Sequence, residues 1–273
     1  MRAHRRVRDH GCRRRLAGTT LNYLFGKAVG RCRPRAAGPR EFFVLGAYPS
    51  ALHVRWQAPG ELRAVHAVAV DDEPEPFWTG HDEEAQVARW MRDAALAPEW
   101  GRVAPCGSLN GSSGVWVDDQ VLRPLGADRA RAWITDCLDT YFESTGAARR
   151  FEELAMVAAM EALGITPPRH HRHPSENDIV RVALDDHRER LIAEIREASP
   201  RLVVSLGNAA LRVVTAISDC ADAPRKLSPE AAAYGKRLRG TVGGKTFEWI
   251  PLAHPASPKP YQRAHAAWSA DGR

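Results

Sequence analysis

The stretch "RLVVSLGNAALRVV", residues 201–214, predicts the fold class. An apolar run that begins at Leu202 has the length of a buried strand, and Gly207 then permits a tight turn into a helix that starts near Asn208. A strand that passes directly into a helix is typical of parallel sheets in α/β proteins. The turn lies at a helix N-terminus, where anions bind favourably.

Three further apolar runs end on small or polar residues, in the stretches "EFFVLGAYPS" (41–50), "RAWITDCLDTYF" (131–142) and "FEWIPLAHPAS" (247–257). The carboxyl ends of parallel strands open on one crevice, where ligands bind in such sheets. We therefore expect Gly46, Asp136, Gly207 and His254 to lie at one edge of the sheet. The alternative is that His254 is an ordinary surface-loop histidine.

The composition indicates a water-soluble globular protein. Of the 273 residues, 44% are hydrophobic and 26% are charged. No apolar run approaches the ~20 residues of a membrane span, and the first residues lack the apolar core of a secretory signal. We expect a cytoplasmic protein without membrane contact. The five cysteines form no C-x-x-C pair, which favours reduced thiols over a zinc ribbon or a dithiol motif.

The positive charge is concentrated in the first forty residues. Residues 1–40 contain eleven Arg, one Lys and one acid, a net charge of +11, so the other 233 residues carry −5 of the total +6. We interpret residues 1–40 as a basic, disordered extension and residues 41–273 as the folded domain. Such an arm suits phosphate backbones, and a solvated tail without a ligand is the alternative.

Two motifs suggest ligand sites that the sequence does not support. "GGKTF" (243–247) resembles the end of a phosphate-binding loop, but Arg239 stands where that motif needs glycine, so we predict a turn. His170, His171 and His173 could suggest a metal site, yet no Cys or carboxylate stands at ligand spacing. We predict no metal and no cofactor.

Two helices are predicted in the region between the second and third strands. "ARRFEELAMVAAMEALG" (148–164) is amphipathic and ends at a glycine, and Ser175 with Asp178 has the pattern of a capping box that starts the second helix.

Four of these stretches, in this order, resemble the uracil-DNA glycosylase superfamily: "FFVLGAYPS", "NGSSGVWVDDQVLRPLGADRARAWITD", "ASPRLVVSLGNAA" and "WIPLAHPAS". The nearest branch is that of thermostable bacterial and archaeal enzymes, and the similarity covers about residues 41–268. The resemblance implies a three-layer α/β/α sandwich with a central four-stranded, mostly parallel sheet. It also implies a monomer that acts on DNA, from which a nucleotide is flipped before its N-glycosidic bond breaks.

The resemblance assigns roles to twelve residues. The catalytic pair is His254, which stabilises the departing base, and Tyr48, at the position that places water. The base-binding residues are Gly46, Ala47, Leu109, Asn110 and Asp136. The DNA-binding residues are Ser50, Asn208, Ala256, Ser257 and Lys259.

Three of these positions depart from the family pattern. Tyr48 replaces an acidic or amide residue and is a poor base at neutral pH. Asp136 replaces an asparagine that reads the uracil edge; an ionised Asp favours a base with an amino group, such as cytosine, whereas a protonated one regains a donor. Leu109 replaces the aromatic ring that stacks on the base, with Phe77 or Trp78 as nearby substitutes.

The branch often binds an iron–sulfur cluster through four cysteines, two of which are replaced here by Thr140 and His187, so we expect none. The function predicted is a DNA glycosylase that excises uracil or a cytosine-type base. The alternative is a catalytically weak or inactive member that binds nucleic acid or nucleotides. A small-molecule α/β hydrolase is disfavoured because no Gly-x-Ser-x-Gly elbow is present.

Overall fold

A computed structural model of the chain describes residues 21–61, 63–144, 160–230 and 233–271. The first half of the predicted extension and most of the predicted helix over 148–164 lie outside these ranges.

The described residues form ten strands and six α-helices. The strands are β1 (Phe42–Gly46), β2 (Ala51–Gln57), β3 (Val65–Asp72), β4 (Arg102–Pro105), β5 (Ala132–Asp136), β6 (Phe142–Glu143), β7 (His171–Arg172), β8 (Leu202–Leu206), β9 (Leu238–Val242) and β10 (Lys245–Leu252). The helices are α1 (Glu83–Asp93), α2 (Ser112–Val117), α3 (Glu176–Asp186), α4 (Arg188–Ala198), α5 (Gly207–Ile217) and α6 (Lys259–Asp271). A π-helical turn, Asp118–Leu122, continues α2.

The central sheet has the strand order β5-β1-β8-β10-β9. The first four strands run parallel, whereas β9 pairs antiparallel with β10. The prediction of a mixed α/β fold with a mostly parallel sheet is therefore confirmed, but the prediction of four strands is wrong. The fifth strand arises because "GGKTF" forms the tight turn of a β9–β10 hairpin, with left-handed backbone at Gly243 and Gly244.

Three of the four parallel strands are buried along their whole length because both faces of the sheet pack against other residues, whereas the first two residues of β10 are exposed. All residues of β1, β5 and β8 are buried. On one face Phe43 belongs to a cluster that includes Leu191 of α4 and Leu211 of α5. On the other face Phe42 belongs to a cluster that includes Val117 of α2.

A second, antiparallel sheet has the order β3-β2-β4. Its apolar residues pack with α1, and the cluster contains the fully buried Trp56 and Trp90. The segment after Pro49 is thus part of a sheet separate from the central one. β6 and β7 form a third, two-stranded parallel pair.

Residues 21–36, here called the N-terminal strap, pack against the domain, although the sequence assigned them to a disordered extension. Tyr23 and Leu24 are fully buried. The Tyr23 hydroxyl donates to Asp72 at 2.8 Å, and Arg33 donates to the buried Asp139 at 3.0 Å. Apolar burial and charge pairing together hold this segment against the end of β3 and the loop that follows β5.

Local predictions elsewhere agree with the structure. The Ser175 hydroxyl accepts the backbone N–H of Asp178 and begins α3. Gly207 has φ +86°, which joins β8 to α5 directly. Cys32, Cys106, Cys137 and Cys220 are free thiols. Within the described ranges, no helix combines the length and apolarity needed to cross a bilayer.

Candidate functional site at the carboxyl edge of the parallel sheet

The four predicted strand ends meet at one edge of the central sheet. Gly46 is the register partner of Asp136, and a side chain on Gly207 would lie 3.3 Å from Cβ of His254. Asp136 ends β5 and His254 comes just after β10, and these are the two outer parallel strands. Three strand spacings separate the two strands, a distance of about 14 Å. Between these two strands, Gly46 ends β1 and Gly207 directly follows β8. No side chain projects from either position.

Asp136 is a buried acid whose carboxylate has no hydrogen-bond partner. It is 3% exposed, and neither carboxylate oxygen is bonded within the described part of the chain. Arg190 lies close by, but it donates at 2.8 Å to the backbone carbonyls of Asp136 and Cys137 rather than to the carboxylate. Burial, followed by the charge of Glu73, raises the pKa of Asp136 well above its ordinary value. Burial and the neighbouring charge therefore favour the protonated form of Asp136.

Glu73 is a second buried acid beside Asp136. Its carboxylate accepts the N–H of Ser50 at 2.9 Å and also those of Phe77 and Trp78. Burial raises its pKa to about 8 in spite of these bonds. Because the donors favour the ionised form of Glu73 and Asp136 has none, Asp136 holds its proton more strongly. The proximity of the two acids thus disfavours the ionisation of both at once.

Phe77 supplies the aromatic ring next to Asp136. A Cβ on Gly46 would lie 2.5 Å from the Phe77 ring and 2.1 Å from the Asp136 carboxylate, so both side chains cover this glycine. Phe77 has φ +53°, a strained value for a bulky residue. The conformation is held from both sides, because Glu73 accepts its N–H and Arg129 donates to its carbonyl at 2.6 Å.

The two other residues considered for stacking on the base, Leu109 and Trp78, have different surroundings. Leu109 is 47% exposed. Trp78 is buried, and its indole N–H donates to Asp82 at 2.8 Å. Phe77 is consequently the ring that the tertiary structure places beside Asp136.

His254 follows the end of β10 as a neutral hydrogen-bond donor. Its Nδ1 accepts the N–H of Ala256 at 3.2 Å, so the ring proton is on Nε2. Burial lowers its pKa to about 4. The ring lines a cavity of about 310 Å³ together with Trp116 and Gln120. The imidazole can therefore donate from Nε2 to a ligand without carrying charge.

Tyr48 contacts β6 and the residue that follows β7. Its hydroxyl forms a hydrogen bond of 2.5 Å with Nδ1 of His173, and its ring packs on Phe142 at 5.3 Å. Burial raises its pKa to about 12, so the phenol does not serve as a base at neutral pH. The adjacent carbonyls of Gly46 and Ala47 accept the N–H groups of Cys137 and Leu138, which leaves each carbonyl one lone pair.

The amides of Asn110 and Asn208 have structural partners. Asn110 accepts from His53 N–H at 3.0 Å and donates to His53 O at 2.8 Å and to Glu83 at 2.7 Å. The Asn208 oxygen accepts the N–H of Leu227 at 2.8 Å. The hydrogen-bonding groups of Asn110 and the side-chain oxygen of Asn208 are thus occupied within the protein.

The residues expected to contact DNA form the outer rim of this edge. Ala256 and Lys259 are exposed beyond His254, and Ser257 is half-buried in the turn, where its N–H donates to His254 O at 2.9 Å. Ser50 is exposed beyond Gly46. The rim therefore flanks both sides of the candidate site.

In the described residues, no group of three or more His, Cys, Asp or Glu side chains is arranged to bind a metal ion. His170 lies between the rings of Tyr23 and Tyr141, at 5.3 and 5.2 Å. His187 faces Asp139 at 3.9 Å, in an ion-pair cluster with Arg33 of the N-terminal strap.

Sequence reasoning missed Glu73 and Arg190. Glu73 lies in the acid-rich stretch "DDEPEPFWTG", where nothing in the sequence distinguishes it from the other acids. Arg190 is one of several charged residues of a surface helix. Only their burial against the carboxyl end of β5 reveals them.

No protein-family model matches the chain, and no curated protein is significantly similar to it.

Proposed function

We propose that the protein is a DNA glycosylase that flips and excises uracil or a cytosine-type base. The observation that carries this proposal is the pairing, at one sheet edge, of an unpartnered buried carboxyl group (Asp136) with a neutral histidine that has a free Nε2–H (His254). Helices packed against both faces of the sheet support a three-layer α/β/α arrangement, with this edge as the cleft.

Asp136 is suited to read the edge of a pyrimidine. A protonated carboxyl group donates one hydrogen bond and accepts another, as the O4 and N3–H of uracil require. With its donor and acceptor reversed, the same group matches N3 and the amino group of cytosine. Phe77 lies beside it as a stacking surface. The carboxyl group thus selects a base with one donor and one acceptor on that edge.

His254 is suited to stabilise the departing base. As the bond between C1′ and the base nitrogen breaks, its electron pair goes to the base and the sugar becomes cationic. Nε2–H of His254 donates to the carbonyl oxygen on which the negative charge develops, an effect of a few kcal/mol for one aligned donor. Water then adds to C1′ and releases a proton. A lone pair remaining on Gly46 O or Ala47 O holds that water.

The experiment measures base release from duplex and single-stranded DNA that contains uracil, hypoxanthine or modified cytosines. Release that disappears in His254→Ala supports catalysis. Asp136→Ala removes both hydrogen bonds and should abolish release, whereas Asp136→Asn keeps a donor and an acceptor and should retain it. Because the wild-type group must stay protonated, its activity should fall at alkaline pH and that of Asp136→Asn should not. Equal losses in the Ala and Asn variants would contradict the role of Asp136.

One observation favours a second candidate, a nucleic-acid-binding protein without catalysis. Tyr48 occupies the position expected to place water, and its hydroxyl is engaged by His173. DNA binding by the wild-type protein with no base release from any of these substrates would establish this candidate and exclude the glycosylase.

A further inference from the structure

Two buried polar side chains near His254 have no part in the proposed mechanism. Tyr234 is 6% exposed and His265 is 3% exposed. The Tyr234 hydroxyl lies 2.8 Å from Nδ1 of His265 and accepts the N–H of Ala253, also at 2.8 Å. Nε2 of His265 lies 2.9 Å from the carbonyl oxygen of Gln120. A chain of three hydrogen bonds therefore connects Gln120 to the residue before His254.

The direction of each hydrogen bond follows from its partners. The Gln120 carbonyl can only accept, so Nε2 of His265 carries the ring proton. Burial lowers the pKa of His265, so its Nδ1 is an acceptor and receives the Tyr234 hydroxyl proton. The same hydroxyl oxygen then accepts from Ala253. Every group in this series of hydrogen bonds therefore has a defined role as a donor or an acceptor.

Ala253 needs this acceptor because the strand ladder ends just before it. The last pair between β10 and β8 is Leu252 with Leu206, since β8 turns into α5 at Gly207. Ala253 is 1% exposed, and a buried N–H without a partner is strongly unfavourable. Tyr234 supplies the partner at the point where the chain leaves the strand, and so sets the direction in which His254 projects.

We propose that Tyr234 and His265 are positioning residues for His254, which act by holding the backbone of Ala253. The consequence for base release rests on the function proposed above; the positioning itself does not. Trp116 strengthens the arrangement because its ring packs against His265 at 4.7 Å and, with His265, lines the cavity beside His254.

The first test is Tyr234→Phe in the full-length protein, which keeps the ring but removes the acceptor. The Ala253 amide should exchange its hydrogen at least about tenfold faster, and the ring nitrogen signals of His254 should shift in NMR spectra. Release of the base should slow by about tenfold to a hundredfold in kcat, with little change in KM. The control is Tyr261→Phe, whose hydroxyl bonds Leu227 O at 3.2 Å; it should change none of these.

The second test compares two substitutions of His265. His265→Asn keeps an acceptor for the Tyr234 hydroxyl, whereas His265→Gln keeps only the donor toward Gln120. The Asn variant should preserve the His254 signals better than the Gln variant. This comparison also decides the proposal if Tyr234→Phe does not fold.

The outcomes separate the two proposals. Unchanged His254 signals and Ala253 exchange in Tyr234→Phe would overturn the positioning role, whether or not the protein releases a base. A wild-type protein that releases no base, but whose His254 signals shift in Tyr234→Phe, would overturn the glycosylase and support the positioning role.

Discussion

At the scale of the residue, Asp136 lowers the stability of the fold at neutral pH. Its pKa in the folded protein is raised by burial and by Glu73, whereas an unfolded Asp ionises near its ordinary value of about 4. Above that pH the unfolded chain releases a proton that the folded protein retains. Stability therefore falls as pH rises from about 4, as expected for a group retained for chemistry rather than for folding.

Asp136→Asn should stabilise the protein at pH 8 by about 1–3 kcal/mol, because the variant no longer buries an ionisable group without partners. The gain should shrink toward about pH 3, below the ordinary pKa of Asp, where wild-type Asp136 is mostly protonated in both states. Urea unfolding at the two pH values measures the difference. The exposed Asp93→Asn serves as the control and should show neither effect. An equal gain at both pH values would contradict the assigned protonation.

The identities of the site residues were predictable only in part. His254, Gly46 and Asp136 follow apolar runs, and the end of a strand is a local signal. Glu73 and Phe77 carry no such signal, because their importance comes from contact with residues distant in sequence. Tyr48 and Asn110 were assigned to the site because of their sequence positions, yet their hydrogen bonds go to His173 and His53.

At the scale of the element, α2 and the loop before α1 act as one unit that presents Phe77. The loop lies so close to the helix that a Cβ on Gly114 would be 2.2 Å from Phe77 O and 2.3 Å from Trp78 O. Arg129 joins the same parts, since it donates to Phe77 O at 2.6 Å and to Asp118 at 2.7 Å. The Phe77 ring is thus held in place by backbone contacts with other parts of the protein, and the sequence of the loop alone does not predict these contacts.

Gly114→Ala should destabilise the protein by about 1–3 kcal/mol, because the added methyl group overlaps backbone atoms of the loop. It should also displace Phe77 and weaken binding of DNA that contains the substrate base. Denaturant unfolding and a binding titration measure the two effects. Val115→Ala, on the exposed face of the same helix, is the control and should stay within about 0.5 kcal/mol of the wild type. A stable Gly114→Ala variant would show that the loop can shift freely.

Strands were the elements best predicted from sequence. β1, β5 and β8 coincide with mostly apolar runs, and the second half of β10 coincides with another, because a strand buried on both faces needs them. β9 was missed because Leu238–Val242 contains arginine and glycine, and its residues are only partly buried at the edge of the sheet. The pairing of β2 with β3 and β4 depends on contacts between separated segments, which periodicity does not reveal.

At the scale of the whole molecule, the basic first forty residues divide into two parts with different roles. The N-terminal strap packs on the domain through Tyr23 and Leu24 and pairs Arg33 with Asp139. Residues 1–20 contain seven of the eleven arginines. The arginine-rich residues 1–20 and the packed N-terminal strap can therefore be removed separately.

Two truncations should separate them. A protein lacking residues 1–20 should bind DNA with a shallower dependence on salt, because fewer counterions are released. A protein lacking residues 1–36 should in addition be less stable than the shorter truncation by at least about 3 kcal/mol, since Tyr23 and Leu24 lose their burial. Binding isotherms at several salt concentrations and urea unfolding provide the measurements. An identical salt slope in the full-length chain would show that the arginines of residues 1–20 do not touch phosphate.

The sequence by itself determined the parallel α/β sheet and the edge where His254 and Asp136 stand, because apolar runs and glycine turns act locally along the chain. Only the tertiary structure decided what those residues are able to do. Among the described residues it left the Asp136 carboxylate without a hydrogen-bond partner, placed Glu73 and Phe77 beside it, turned Tyr48 toward His173 and fixed the His254 ring proton on Nε2. The physical reason is that the protonation and reactivity of a side chain depend on burial and on hydrogen-bond partners, and here those partners come from distant parts of the chain.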